Sequence, residues 1–186
     1  MVFQRASDAR FHIEISDAEV DFQLLSLQGK EALSQLFSFQ LAVVCDDAEV
    51  ALESLLGQSA VVTLLDPDCD SDRDEEAAPR FIHGIIGSAA LVEQGTRLSR
   101  YQLTLVPKLA LLEYRHNSRI FQQRSLAQIL SQLLDEAGLS ADEFRFELQR
   151  DYPVYDYCVQ YRESELNFCQ RLLEAEGIHY YFEHQD

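Results

Sequence analysis

A chain of 186 residues that is 47% hydrophobic and 25% charged has the make-up of a globular protein, which excludes global disorder. At that length folding buries roughly 70% of the surface of the unfolded chain, enough for one large domain or two small ones. The formal charge of −17 repels phosphate, so no nucleic-acid binding and no membrane docking are expected, and a basic or neutral protein surface is the favoured partner.

The opening residues, MVFQRASDARFHIEIS, lack an apolar h-region, so a cleaved secretory signal is not expected. No run approaches the length of a membrane-spanning helix. Synthesis in the cytoplasm, and export by a route without a cleaved signal, is the expectation. Short extended runs follow at 11–16 and 22–27. In 37–45 the residues Phe37, Phe39, Leu41, Val43 and Cys45 recur with a period of two, which marks a strand with one apolar face. A short helix is expected over 48–56, started by Asp46 or Asp47 and stopped by Gly57. Strands at 60–65, 80–92 and 97–106 read as a meander, with Gly95 supplying a positive φ in the last turn. Gly84 and Gly87 interrupt the long middle strand, as at bulges that let a sheet curl.

Beyond Pro107 the pattern changes. An apolar segment at 109–115 and Arg119-Ile120-Phe121 lead to a helix with the stripe Leu126, Ile129, Leu130, Leu133, Leu134 and Ala137. Ser125 with Gln128 forms a capping box and Gly138 ends that helix. Strands are expected at 144–148, 154–161 and 178–182, and a helix at 164–176 packs through Leu166, Cys169, Leu172 and Leu173 before Gly177. The fold class is therefore α+β: a bent, barrel-like antiparallel sheet over 1–106, then helices and strands interleaved over 107–186.

No chemistry rises above background. The acidic loop 66–76, DPDCDSDRDEE, has oxygen ligands at alternate positions as a calcium loop does. From Asp66, however, the sixth position is Ser71 and the twelfth Ala77; from Asp68 they are Arg73 and Pro79. A solvated loop fits better, and a hydrolase or calcium-binding domain built on it stays as the alternative of a different class. Among His12, His83, His116, His179 and His184 no two-ligand cluster is evident, because residues 179 and 184 fall on opposite faces of a strand. Cys45, Cys158 and Cys169 sit among apolar residues and Cys69 in the acidic loop, without a Cys-x-x-Cys pair. There is no nucleophile elbow, P-loop or dinucleotide fingerprint. No catalytic residue, metal ligand or cofactor is expected. Tyr155, Tyr157 and Tyr161 share one strand face and Tyr180 and Phe182 another, so packing explains the aromatic cluster more simply than a carbohydrate- or base-stacking platform.

Five segments nevertheless fall in a recognisable order. They are Leu27-x-Gly29-x-Glu31-x-Leu33-Ser34-x-Leu36-Phe37-x-Phe39, Phe81-x-His83-Gly84-Ile85, Tyr101-x-Leu103-x-Leu105-x-Pro107, Asn117-Ser118-Arg119-Ile120-Phe121-Gln122, and QYRESELNFCQRLLEAEGIHYYFEH over 160–184. Together they resemble the VgrG family of type VI secretion spike proteins. One departure is Leu109-Ala110-Leu111-Leu112, where the family often has a tryptophan. The resemblance implies a fold like the baseplate hub of contractile-tailed phages, in which barrel-like domains from three copies form a pseudo-sixfold ring. It implies a homotrimer seated on a tube of stacked Hcp hexamers, secreted by its own machine, and not an enzyme. Effector or tip proteins would ride on downstream regions, with the hub and needle continuing beyond residue 186. The baseplate hub of a contractile phage tail is the near alternative. The Arg and Glu residues of the last segment read as ordinary surface pairs on a helix.

Overall fold

The computed structural model describes residues 11–65 and 79–184, in two compact units. Unit 1 comprises Met1–Ala32, Phe37–Pro107 and Phe182–Asp186, and unit 2 comprises Leu33–Leu36 and Lys108–Tyr181. The acidic loop, and with it the calcium-loop alternative and Cys69, lies outside the described residues.

Unit 1 is one antiparallel sheet built from β1 (Phe11–Ile15), β2 (Gln23–Lys30), β3 (Ser38–Cys45), β4 (Ser59–Leu64), β5 (Arg80–Glu93) and β6 (Ser99–Val106). Its strand order is β1-β4-β5-β6-β3-β2, and the end strands β1 and β2 approach each other, so the sheet curls into a half-barrel. The period of two in β3 is realised: Phe39, Leu41, Val43 and Cys45 point into the core with Leu103, Leu105 and Tyr101 of β6. Gly87 sits at a register shift between Ile86 and Ser88, the bulge expected from its position. Gly84 has a different cause, since a Cβ there would lie 2.6 Å from the Val106 carbonyl oxygen. Gly95 likewise does not have a positive φ. It is held to glycine by the Leu98 carbonyl oxygen, 2.1 Å from where a Cβ would be.

The expected helix over 48–56 shrinks to α1 (Leu52–Leu55), without a side-chain cap. Asp47 Oδ1 instead accepts the Glu49 amide at 2.8 Å, a turn that competes with helix initiation. Gly57, at φ 79°, does end the segment.

Unit 2 opens with a 3-10 helix (Lys108–Glu113), which buries Leu112 where the sequence had only an apolar segment. Then come β7 (His116–Ser125), α2 (Leu126–Glu136), β8 (Val154–Ser164) and α3 (Glu165–Ala175). The stretch read as a lead into a helix is thus a full strand, paired antiparallel with β8. The capping box is present: Ser125 Oγ accepts the Gln128 amide, and Gln128 Oε1 accepts the Ser125 amide at 2.9 Å. Leu126, Ile129, Leu130, Leu133 and Leu134 are buried as the stripe requires. They pack with Phe121, Leu166, Phe168 and Leu172, and Phe121 stacks on Phe168 at 5.6 Å. No strand forms over 144–148 or 178–182. The Phe144 and Phe146 rings meet edge to face instead, and the Tyr180 carbonyl accepts the Ser34 amide at 2.8 Å. Alternation alone cannot make a strand when no neighbour offers a ladder.

Candidate assembly surface

The β7–β8 ribbon has a buried face and an open one. Phe121 pairs with Cys158 and both are buried, so the period of two sends Ile120, Tyr157, Val159 and Tyr161 to the other side. Those four are exposed by 60%, 69%, 48% and 65%. Of the three tyrosines of β8 the packing explanation therefore holds for Tyr155 alone, which contacts the core and donates its hydroxyl to Glu176 Oε1 at 2.7 Å, while Phe182 packs against the core of unit 1. Burial, then the Glu176 carboxylate, pushes Tyr155 up to about 12. Gln123 and Arg162, toward opposite ends of the open face, both have φ near 50°, a conformation that costs of order 1–3 kcal/mol in residues other than glycine. The Arg162 guanidinium lies 5.3 Å from the centre of the Tyr161 ring. Arg124 is exposed and forms no ion pair among the described residues.

Beneath the ribbon lies a clamp of charges that the sequence did not reveal. Glu165, only 1% exposed, receives Arg115 Nε at 2.6 Å and Arg119 Nη2 at 2.9 Å. Arg119 also reaches Glu136 of α2 at 2.6 Å and the buried Gln160 of β8 at 3.1 Å. The hydrogen bond from Arg115 to Glu165 raises the arginine further. Burial pushes the Glu136 carboxyl up, but hydrogen bonds from Arg119 and Gln132 and the two arginine charges outweigh it and hold the group below its usual range. The reading of Arg and Glu as surface pairs fits Arg171 with Glu163, at 2.6 Å, and fails for Glu165. Helical spacing could not expose this, since the partners come from β7 and the residue before it.

In unit 1 a second polar group forms around His184. Its Nδ1 accepts the His83 amide at 3.0 Å, which leaves the proton on Nε2, 3.1 Å from Glu31 Oε1. Glu31 also takes Arg80, and the two imidazoles stack at 6.3 Å. His184 is thus absorbed into a core edge, whereas His179 is exposed. Among the described residues no three His, Cys, Asp or Glu side chains are grouped to hold a metal. Cys45, Cys158 and Cys169 are buried free thiols, each raised first by burial, Cys169 to about 12, so they behave as small hydrophobes. A shallow cleft of about 670 Å³ in unit 2 is lined by Ser125, Arg150, Asp151 and Tyr152 among others. Two of its polar groups are occupied: Ser125 caps α2, and Arg150 binds the Glu176 carbonyl and lies over the Tyr152 ring.

One group carries a pH dependence. Burial raises the Glu143 carboxyl, but Lys108 Nζ at 2.8 Å and the Ser140 amide and hydroxyl together bring it down to about 2. A depressed carboxyl stabilises the fold above its unfolded value near 4.5, and that contribution is lost as the pH falls toward 2. Both partners are 36% exposed, so solvent screening limits it to about 1 kcal/mol. Glu143→Gln is expected to narrow the stability difference between pH 7 and pH 3, measured by urea titration; an unchanged difference would contradict this origin.

The ribbon thus offers apolar and aromatic side chains on one exposed face, and comparison with known proteins gives the family to which the chain belongs. The family model of the phage tail baseplate hub (GPD) matches residues 30–186. The type VI secretion system spike protein VgrG4b of Pseudomonas aeruginosa is 38% identical over 183 residues, covering 98% of this chain and 21% of the relative. The actin cross-linking toxin VgrG1 of Vibrio cholerae is 35% identical over 94% of this chain and 16% of that protein. The chain thus spans about a fifth of the length of these curated relatives. Among solved structures, the Escherichia coli c3393 protein is described as a type VI secretion component with structural similarity to the T4 tail proteins gp27 and gp5. It matches with a TM-score of 0.75 at 28% identity, over 87% of this chain and 42% of that one. A 43 kDa tail protein of a Shewanella oneidensis prophage shares the fold, with a TM-score of 0.53 at 12% identity, over 90% of this chain and 49% of that one. With its curled sheet, its ribbon-and-helix unit and a match running from residue 30 to 186, the chain belongs to the phage tail baseplate hub (GPD) family, and its relatives there are VgrG spike proteins.

Proposed function

We propose that the chain forms part of the hub of a type VI secretion spike, in which three copies make a ring that caps a tube of Hcp hexamers. The observation that carries this reading is the similarity to VgrG spike proteins along 98% of the chain. In this reading the protein works by shape and interface complementarity and is not an enzyme. It leaves the cell through its own machine, with effectors or tip proteins carried by other parts of the spike. Homo-oligomers of this kind bury large apolar patches, which suits the open ribbon face.

The test is twofold. Deleting the gene in its own cells is expected to abolish release of Hcp into the medium, with recovery on complementation. Light scattering of the intact protein is expected to give a trimer. Normal Hcp release in the deletion strain would overturn the spike reading, and a stable monomer would overturn the ring. The phage-like hub has its own support in the shared fold of the prophage tail protein. Recovery of the protein in tail particles instead of an Hcp-dependent secretion machine would favour it.

A further inference from the structure

We infer that the open face of the β7–β8 ribbon is the surface by which one copy of the chain grips the acidic unit 1 of a second copy. The inference rests on the proposed ring and assigns it a contact.

Three observations converge on the ribbon. The first is composition: Tyr157, Tyr161, Ile120 and Val159 form one exposed face with Arg124 and Arg162 near it, and tyrosine and arginine are the residue types that dominate binding energy at interfaces. The second is strain: Gln123 holds a positive φ toward one end of that face with no register shift beside it, while Arg162 does so at the other end as the unpaired residue of a β-bulge opposite Asn117 and Ser118. The third is charge. Unit 2 carries eight Lys or Arg against twelve Asp or Glu, a net of −4, whereas the described residues of unit 1 carry four against eleven, a net of −7. Neither Arg124 nor Arg162 is neutralised by a carboxylate among the described residues.

The charge asymmetry selects the occupant. Two ribbons face to face would set the arginines of one copy near those of the other, which like-charge repulsion penalises. A ribbon against unit 1 of a neighbour instead brings bare guanidinium groups to the most acidic part of the same polypeptide. Such a contact is head-to-tail, and head-to-tail contacts are the kind that close into rings.

The test puts a photo-crosslinking benzoylphenylalanine at position 157 of the intact protein, a replacement that keeps an aromatic ring on an exposed strand. The expected product joins two copies, and mass spectrometry places the bond in residues 11–65 or 79–107 of the second. In parallel, the triple variant Ile120→Ser, Arg124→Glu, Arg162→Glu is expected to weaken self-association about 100-fold with an unchanged far-ultraviolet circular dichroism spectrum, while Arg124→Ala alone weakens it up to tenfold and more at low salt. A crosslink to a different protein, or a triple variant that associates like the wild type, overturns the ribbon contact and leaves the trimer standing. A wild-type protein that is monomeric throughout overturns both.

Discussion

Replacing Glu165 by glutamine is expected to destabilise unit 2 by about 3 kcal/mol, the lower end of what removing one partner of a buried ion pair costs. Glutamine keeps the shape and one acceptor oxygen but removes the charge that faces two guanidinium groups. Arg115 is 40% exposed and can turn toward water, which moderates the loss; Arg119 is 20% exposed and tied also to Glu136 and Gln160, so it cannot leave without breaking those bonds. The cost falls on the joint between β7, β8, α2 and α3, because Glu165 opens α3 and its amide also donates to the Arg115 carbonyl at 2.7 Å. Denaturant titration read by circular dichroism measures it, and a change below about 1 kcal/mol would show that water already screens the clamp. A second variant separates charge from packing. Replacing Glu165 by leucine together with Arg115 and Arg119 by methionine is expected to be milder than Glu165→Gln, since no guanidinium is left facing a lost carboxylate; Gln160 loses one donor, and Glu136, 33% exposed, keeps Gln132 and water.

What could be read from the sequence divides along a physical line. Local devices were legible: the period of two in β3, the apolar stripe and capping box of α2, and the stops at Gly138 and Gly177 all act within a few residues. So was the order of motifs that carries the family. Hidden features needed a partner far along the chain. Glu165 finds Arg115 and Arg119 about 50 residues earlier, and His184 finds Glu31 and His83 more than 100 residues away. Strand assignments failed for the same reason. Residues 144–148 and 178–182 alternate correctly but have no ladder to join, while β7 pairs along ten residues despite its polar sequence. The open ribbon face escaped because Tyr157 and Tyr161 look like core by residue type, and burial is decided by what lies opposite. The signal available was the side-by-side presence of Arg162 and Tyr161, a pairing more typical of contact surfaces than of cores.

Phe37→Ala is expected to cost about 3–5 kcal/mol in unit 1, in line with removing a fully buried aromatic ring. Phe37 is 1% exposed, with Phe39 at 5.7 Å, Phe182 at 5.1 Å and the His184 ring at 5.3 Å, the last two edge to face. It is thus the apolar platform on which the final described residues of the chain rest, while Glu31 and the His83 amide supply the polar anchor. The two kinds of support predict different outcomes. If the platform dominates, Phe37→Ala removes hydrogen-exchange protection from the His83 amide along with global stability, because His184 can no longer hold its acceptor nitrogen in place. If the polar anchor dominates, His184→Ala does so while Phe37→Ala lowers stability and spares that local protection. Edge-to-face contacts add about 0.5–1.5 kcal/mol beyond area. A double-mutant cycle between positions 37 and 184 is therefore expected to show coupling of about 1 kcal/mol, and additive losses would mean that the two side chains only share a neighbourhood. The platform is expected to win: a ring with essentially no exposure touches both partners, whereas Glu31 divides its carboxylate between His184 and Arg80 and stays 32% exposed to competing water.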